Sequence, residues 1–184
     1  MADTDEFWIF GYGSLMWHPG FDHLERVPAL LRGYHRAFCI VSHHYRGTAE
    51  RPGLVLGLDR GGSCRGIAYR APADRRDEIM AYLHDREMIH YVYLQKRLPL
   101  ALDDGRRIFA ETYVADPDND QYAGKLPIEE LVRLTLQGHG NRGACAEYLE
   151  NTVLHLDELG IRDGPLHDLR DRVRAAQGGD LDKL

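Results

Sequence analysis

The chain has 184 residues, 43% of them hydrophobic and 28% charged, the size and make-up of one globular domain rather than of a disordered or fibrous segment. A net charge of −6 argues against a protein that lives on phosphate backbones, which demand a basic stripe, so no nucleic-acid partner is expected. No stretch nears the roughly 18 successive apolar residues of a membrane span, and the opening MADTDEF is acidic where a signal peptide is basic and then apolar. The expectation is a cytoplasmic protein with no membrane partner.

In chain order, residues 7–10 read as a short buried strand and AFCIVS at 37–42 as a second. The run LVLGLDRGGSCRGIAYRA at 54–71 has two strand-like halves around Asp59–Ser63, and its paired glycines suit a tight reversal, so a hairpin is expected there. From Pro72 the period changes, and Ile79 and Leu83, four apart, predict a helix. A second hairpin follows. Leu98, Leu100 and Leu102 alternate, Asp104-Gly105 makes the turn, and Ile108, Ala110, Thr112 and Val114 alternate again.

The last third is helical. Pro127 suits a first helical position. Tyr148, Leu149, Thr152, Val153, Leu156 and Leu159 form a stripe ended by Gly160, and a shorter helix surrounds Leu166, Leu169 and Val173. Strands first and helices later describe a mixed α+β fold, a small barrel or curled sheet with helices outside. It is read as a single domain over 1–177 with a frayed tail at 178–184. Cys39, Cys64 and Cys145 are isolated and odd in number, which leaves small buried hydrophobes rather than a disulfide framework.

Two places break these patterns. The first is FWIFGYGSLMW at 7–17, an apolar run interrupted by Gly11, Gly13 and Ser14. Glycines on both sides of Tyr12 allow main-chain N–H groups to converge on one concavity, which binds carboxylates or oxyanions without a charged side chain. A dinucleotide fingerprint would need a small residue where Met16 stands, a phosphate loop would need a lysine, and a nucleophile elbow would need G-x-S-x-G. A plain bend in the strand is the competing reading.

The second is Glu87, reached by stepping four residues from Ile79 through Leu83, so that a carboxylate falls on the apolar stripe. Burial there would raise its pKa towards that of a general acid or base; an ion pair with Arg86 past the helix end is the alternative. Of ten histidines, His84 and His90 with Glu87 make the best metal cluster, but their angular spacing is poor and no H-E-x-x-H pair occurs, so no metal is expected.

FGYGSLMW at 10–17 and REM at 86–88 resemble, respectively, the signature and the catalytic glutamate region of the ChaC-type γ-glutamylcyclotransferases in their bacterial form. HYRGTAERPGLVLGLDRGGSCRGIAYRA at 44–71, ETYVAD at 111–116 and GACAEYLENTV at 143–153 extend the likeness. The resemblance implies a γ-glutamylcyclotransferase-like small mixed β-barrel with flanking helices. It also implies cleavage of glutathione to 5-oxoproline and Cys-Gly with no cofactor. Gly11, Tyr12, Gly13, Ser14, Leu15 and Met16 would hold the γ-glutamyl group, with Glu87 as the proton carrier; Tyr113 and Arg46 are further candidates for contacting substrate. Met88-Ile89-His90 replaces the Lys-Gly-Gly of animal members, and GHGNRGACAEYL at 138–149 replaces a Gly-Pro-Ser-Gly form. Action on another γ-glutamyl amine or dipeptide, and a non-catalytic role related to cation transport, remain the alternatives.

Overall fold

A strand apolar along its whole length must be covered on both faces and both edges. β1, Phe7–Gly11, is buried at all five positions. The computed structural model, which describes residues 6–88 and 91–179, meets that demand with a closed barrel in the order β1-β3-β2-β4-β5. Its other strands are β2, Glu25–Ser42; β3, Gly53–Ala71; β4, Tyr93–Leu102; and β5, Arg107–Ala115. β1 runs antiparallel to β3, from Phe7 opposite Ala71 to Gly11 opposite Ile67, and parallel to β5 at Ile9 opposite Glu111. The described chain forms two compact units, one of residues up to Arg36 with Leu58–Asn119, the other of Ala37–Gly57 with the residues from Asp120 onward.

In the first unit, α1 (Arg76–Glu87) follows a short 3-10 turn, Ala73–Arg75. Ile79 and Leu83 are its buried residues, as their spacing predicts. They pack with Phe7, Ile9, Leu15, Ala71 and Tyr113 into one apolar cluster, so Phe7 and Ile9 face the helix while Trp8 and Phe10, by the alternation of a strand, face the barrel interior. Burying two such side chains stabilises the helix by about 1.5–3 kcal/mol each, more than its own polar sequence supplies.

The β4–β5 hairpin forms as expected, with Gly105 at φ 93° in the turn. The expected hairpin within 54–71 does not: β3 is one strand of 19 residues, and the chain reverses in 43–52 instead. Gly61 and Gly62, at φ 98° and 67°, lie inside the strand, where His35 Nδ1 of β2 comes within 2.9 Å of the Gly61 carbonyl oxygen. Positive-φ glycines serve a bulge as well as a turn. β2 also begins at Glu25, twelve residues before the expected start at 37; Pro28 and Gly33 lie in its first half, where only Ala29 and Leu31 are buried, and they mask the strand pattern.

The second unit contains α2 (Ile128–Gln137), the two-residue strands β6 (His139–Gly140) and β7 (Gly143–Ala144), α3 (Cys145–Glu158) and α4 (Gly164–Gly178). Pro127 caps α2 rather than starting it. Leu149, Thr152, Val153 and Leu156 are the buried stripe of α3, and Gly160, at φ 68°, follows its C-cap. α4 has 15 residues and α3 has 14, so the last helix is not the shorter one; Asp163 caps it by accepting from the Leu166 N–H. All three cysteines are free and buried, with Cys145 Sγ donating to the Leu54 carbonyl. The expected tail lies, from 180 on, outside the described residues. Among the described residues no helix is long and apolar enough to cross a membrane.

Candidate active site

The loop that leaves β1 is built by close approach. A Cβ on Gly11 would sit 2.9 Å from the Leu15 Cβ and 3.2 Å from the Met16 nitrogen, so the chain can fold back over itself only with glycine there. Ser14–Met16 then makes one 3-10 turn, closed by the Met16 N–H donating to the Gly13 carbonyl at 2.9 Å and the His18 N–H donating to the Ser14 carbonyl at 2.8 Å. Tyr12, Leu15 and Met16 are buried and Ser14 is exposed. Of the six predicted loop residues, these three therefore serve as anchors, and the surface offered to a ligand is Gly13 and Ser14.

Two side chains fix this loop from the barrel. Arg36, 3% exposed, donates through Nε to the Tyr12 carbonyl at 2.6 Å and through Nη2 to the Arg65 carbonyl at 2.6 Å. The Tyr69 hydroxyl donates to the Met16 carbonyl at 2.7 Å. A trans peptide unit points its N–H opposite to its C=O, so holding the Tyr12 carbonyl towards Arg36 turns the Gly13 N–H the other way. Among the described residues, no main-chain carbonyl takes the Ser14 or Leu15 N–H. The bend thus leaves these two N–H groups outside the main-chain hydrogen bonds given for this loop.

Glu87 is the last residue of α1 and comes from the other side. Its helix ends as the Met88 N–H returns to the His84 carbonyl at 2.8 Å. The Glu87 side chain is 20% exposed, with Arg86 Nε 3.5 Å from its Oε1. Burial pushes the Glu87 carboxyl above its usual range, and the Arg86 charge pulls the other way. Glu87 closes the helix rather than lying past its end, and its carboxylate, though largely buried, also pairs with Arg86.

Arg86 joins helix and loop. Its Nη2 donates to Ser14 Oγ at 2.7 Å, and its Nη1 donates to the His18 carbonyl at 2.7 Å and the Tyr82 hydroxyl at 3.0 Å. Because Ser14 Oγ accepts here, its own O–H is free to donate elsewhere. The same guanidinium touches Ser14 and Glu87, so the two motifs found separately in the sequence meet.

Tyr113, on β5, lies in the cluster with Leu15 and Leu83. Its hydroxyl has no hydrogen-bond partner, and burial together with the charges of Glu87 and Glu111 pushes it up to about 12. Arg46 belongs to the second unit, where it donates to the Arg142 carbonyl at 2.7 Å and lies over the Tyr148 ring at 5.0 Å. Sequence reasoning missed Arg36, Tyr69 and Arg86 as parts of the site. Only Arg86 carried a signal, its place beside Glu87. Among the described residues no group of three or more His, Cys, Asp or Glu is placed to hold a metal; His90, of the weighed cluster, and Ile89 lie outside them.

A closed mixed barrel with this helix against its outer face is the architecture of the γ-glutamylcyclotransferases. A crystal structure of the γ-glutamyl cyclotransferase specific to glutathione from yeast superposes with a TM-score of 0.83 over 94% of this chain and 97% of that one, at 22% identity. The chain belongs to the ChaC-like protein family, whose model matches residues 7–176. It is 39% identical over 167 residues to the glutathione-specific γ-glutamylcyclotransferase of Escherichia coli, covering 91% of this chain and 72% of that protein. It is also 39% identical over 188 residues to the Schizosaccharomyces pombe protein of that name, covering 91% of each.

Proposed function

We propose that this chain is a glutathione-specific γ-glutamylcyclotransferase of the cytoplasm, which closes the γ-glutamyl group into 5-oxoproline and releases Cys-Gly. The observation that carries the reading is the single guanidinium, Arg86, bonded to Ser14 of the glycine loop and adjoining the desolvated Glu87.

The chemistry asks little of the protein beyond those parts. The substrate's own α-amine attacks its own γ-carbonyl carbon, so the enzyme supplies neither nucleophile nor water, and no metal or cofactor is needed to balance the step. What it supplies first is conformation: holding amine and carbonyl about 3–3.5 Å apart is worth on the order of 7–11 kcal/mol. The outward donors at Gly13 and Ser14 suit the α-carboxylate of the γ-glutamyl end, and the Ser14 O–H adds a further donor.

Glu87 moves the proton. The ammonium gives up one proton to solvent and attacks as the free amine; the nitrogen passes a second proton to the Glu87 carboxylate as its bond to the γ-carbon forms, and the cysteinyl nitrogen takes that proton as its own bond to the γ-carbon breaks, leaving a single N–H in the 5-oxoproline ring. A carboxylate raised by burial is better matched to both transfers than one at its ordinary value, and such help is typically worth about 10²–10⁴-fold.

The test is 5-oxoproline release by the purified protein, in chelator, from reduced glutathione and from a panel of γ-glutamyl amines and dipeptides. Release from glutathione alone is expected. Release from another γ-glutamyl compound and none from glutathione overturns the substrate, and no release from any of them overturns the activity.

A further inference from the structure

A buried hydroxyl almost always has a hydrogen-bond partner. Tyr113, 2% exposed, holds the single buried side-chain polar atom among the described residues that has none. The cause is positional. Tyr113 stands on β5 opposite Gln95, but the Gln95 amide is spent on Glu111 Oε2 at 3.0 Å. Tyr113 belongs to the apolar cluster that includes Leu15 of the glycine loop and Leu83 of α1, whose side chains cannot accept a hydrogen bond. Glu87 lies one helical turn beyond Leu83, near enough for its charge to act on the phenol. The hydroxyl is thus an unspent donor on a residue that shares one apolar cluster with the loop's Leu15 and with the helix that carries Glu87.

The proposed reaction has a place for one. When the α-amine nitrogen bonds to the γ-carbon, the C=O π pair moves onto the γ-oxygen; when the pair returns, the bond from that carbon to the cysteinyl nitrogen breaks and that nitrogen takes the Glu87 proton. For the interval between, the γ-oxygen carries a negative charge. With the loop donors given to the α-carboxylate and the Arg86 guanidinium shared among Ser14, His18, Tyr82 and Glu87, that charge lacks a donor.

We propose that Tyr113 is a catalytic residue of the ring closure, its hydroxyl donating to the γ-carbonyl oxygen as that oxygen becomes an anion. This inference rests on the cyclotransferase reading. The phenol suits the task because its surroundings keep the proton on: with its pKa pushed up to about 12 it stays an O–H donor at any pH where Glu87 cycles. A donor aimed at the charge that develops, rather than at the substrate as it binds, lowers the barrier without tightening the ground state.

Tyr113→Phe is the test, measured as kcat and KM for 5-oxoproline release across pH, beside wild type and Glu87→Gln. The expected result is a kcat about 10²–10³-fold lower, the cost of removing one such donor, with KM within about threefold and the Glu87-controlled acid limb where it was. Thermal unfolding should be no earlier than in wild type, since the ring stays and only an unpartnered oxygen goes. An unchanged kcat overturns the proposal. So does a change confined to KM, which assigns the hydroxyl to ground-state binding, and so does a lower kcat with a displaced acid limb and earlier unfolding, which makes Tyr113 structural. An inactive wild type instead removes the cyclotransferase reading on which the proposal stands.

Discussion

The last turn of α1 and the middle of β5 each bring a carboxylate to the apolar cluster beneath the helix, and they treat it in opposite ways. Glu111, 6% exposed, has both oxygens taken, Oε1 by Arg76 Nη2 and Oε2 by the Gln95 amide, each at 3.0 Å. Glu87 has Arg86 Nε at 3.5 Å from one oxygen, and its pKa is raised. A saturated carboxylate fixes a strand and has nothing left for a ligand. A carboxylate left short of partners is costly to ionise, and that cost is what makes it able to exchange a proton.

The comparison breaks most sharply at Glu87→Gln, which keeps the shape and removes the base: kcat should fall by at least about 10²-fold. Its stability should not fall with it. A folded-state pKa raised above the unfolded one means no penalty at pH values where the carboxyl is protonated in both states, and a penalty that grows as pH rises through the folded value. Glu87→Gln should therefore melt with wild type in acid and later than wild type above that window, as thermal unfolding across pH will show. Wild-type activity runs the other way and should fall as pH drops through the raised value, placing the acid limb above the ordinary carboxylate range.

Arg86→Gln comes next. It removes the bond to Ser14 and the one charge that lowers the Glu87 pKa, so kcat/KM should drop about 10–100-fold, the worth of a charge-assisted hydrogen bond, and the acid limb should move to higher pH. Glu111→Leu sharpens the contrast from the other side. Stability should fall by about 1–3 kcal/mol as Arg76 and Gln95 lose their acceptor, while turnover per folded molecule stays close to wild type; denaturant unfolding and active-site-normalised rates will separate the two. Ser14→Ala is the mildest, a rise in KM of about two- to tenfold, since the main-chain donors remain.

Both halves of the candidate site were legible as local anomalies: glycines where a strand should continue, and a carboxylate on an apolar stripe. That Ser14 and Glu87 share a guanidinium was not legible, because Ser14 and Arg86, 72 residues apart, leave no periodic trace of their contact. Arg36 and Tyr69 were hidden for the same reason, and nothing in their own neighbourhoods marks them. The false hairpin at Asp59–Ser63 had a different cause, a residue type that answers two geometric needs equally well. Glu111 was visible only as a charge between Ala110 and Thr112, a position any exposed strand edge could fill.

The grip of Arg36 on the Tyr12 carbonyl and of Tyr69 on the Met16 carbonyl gives the glycine loop the character of a jig. Its dipoles are oriented by the barrel wall before any peptide enters, so capture spends no free energy on shaping the receiver. The temperature at which the jig loosens should then be the temperature at which the barrel itself melts.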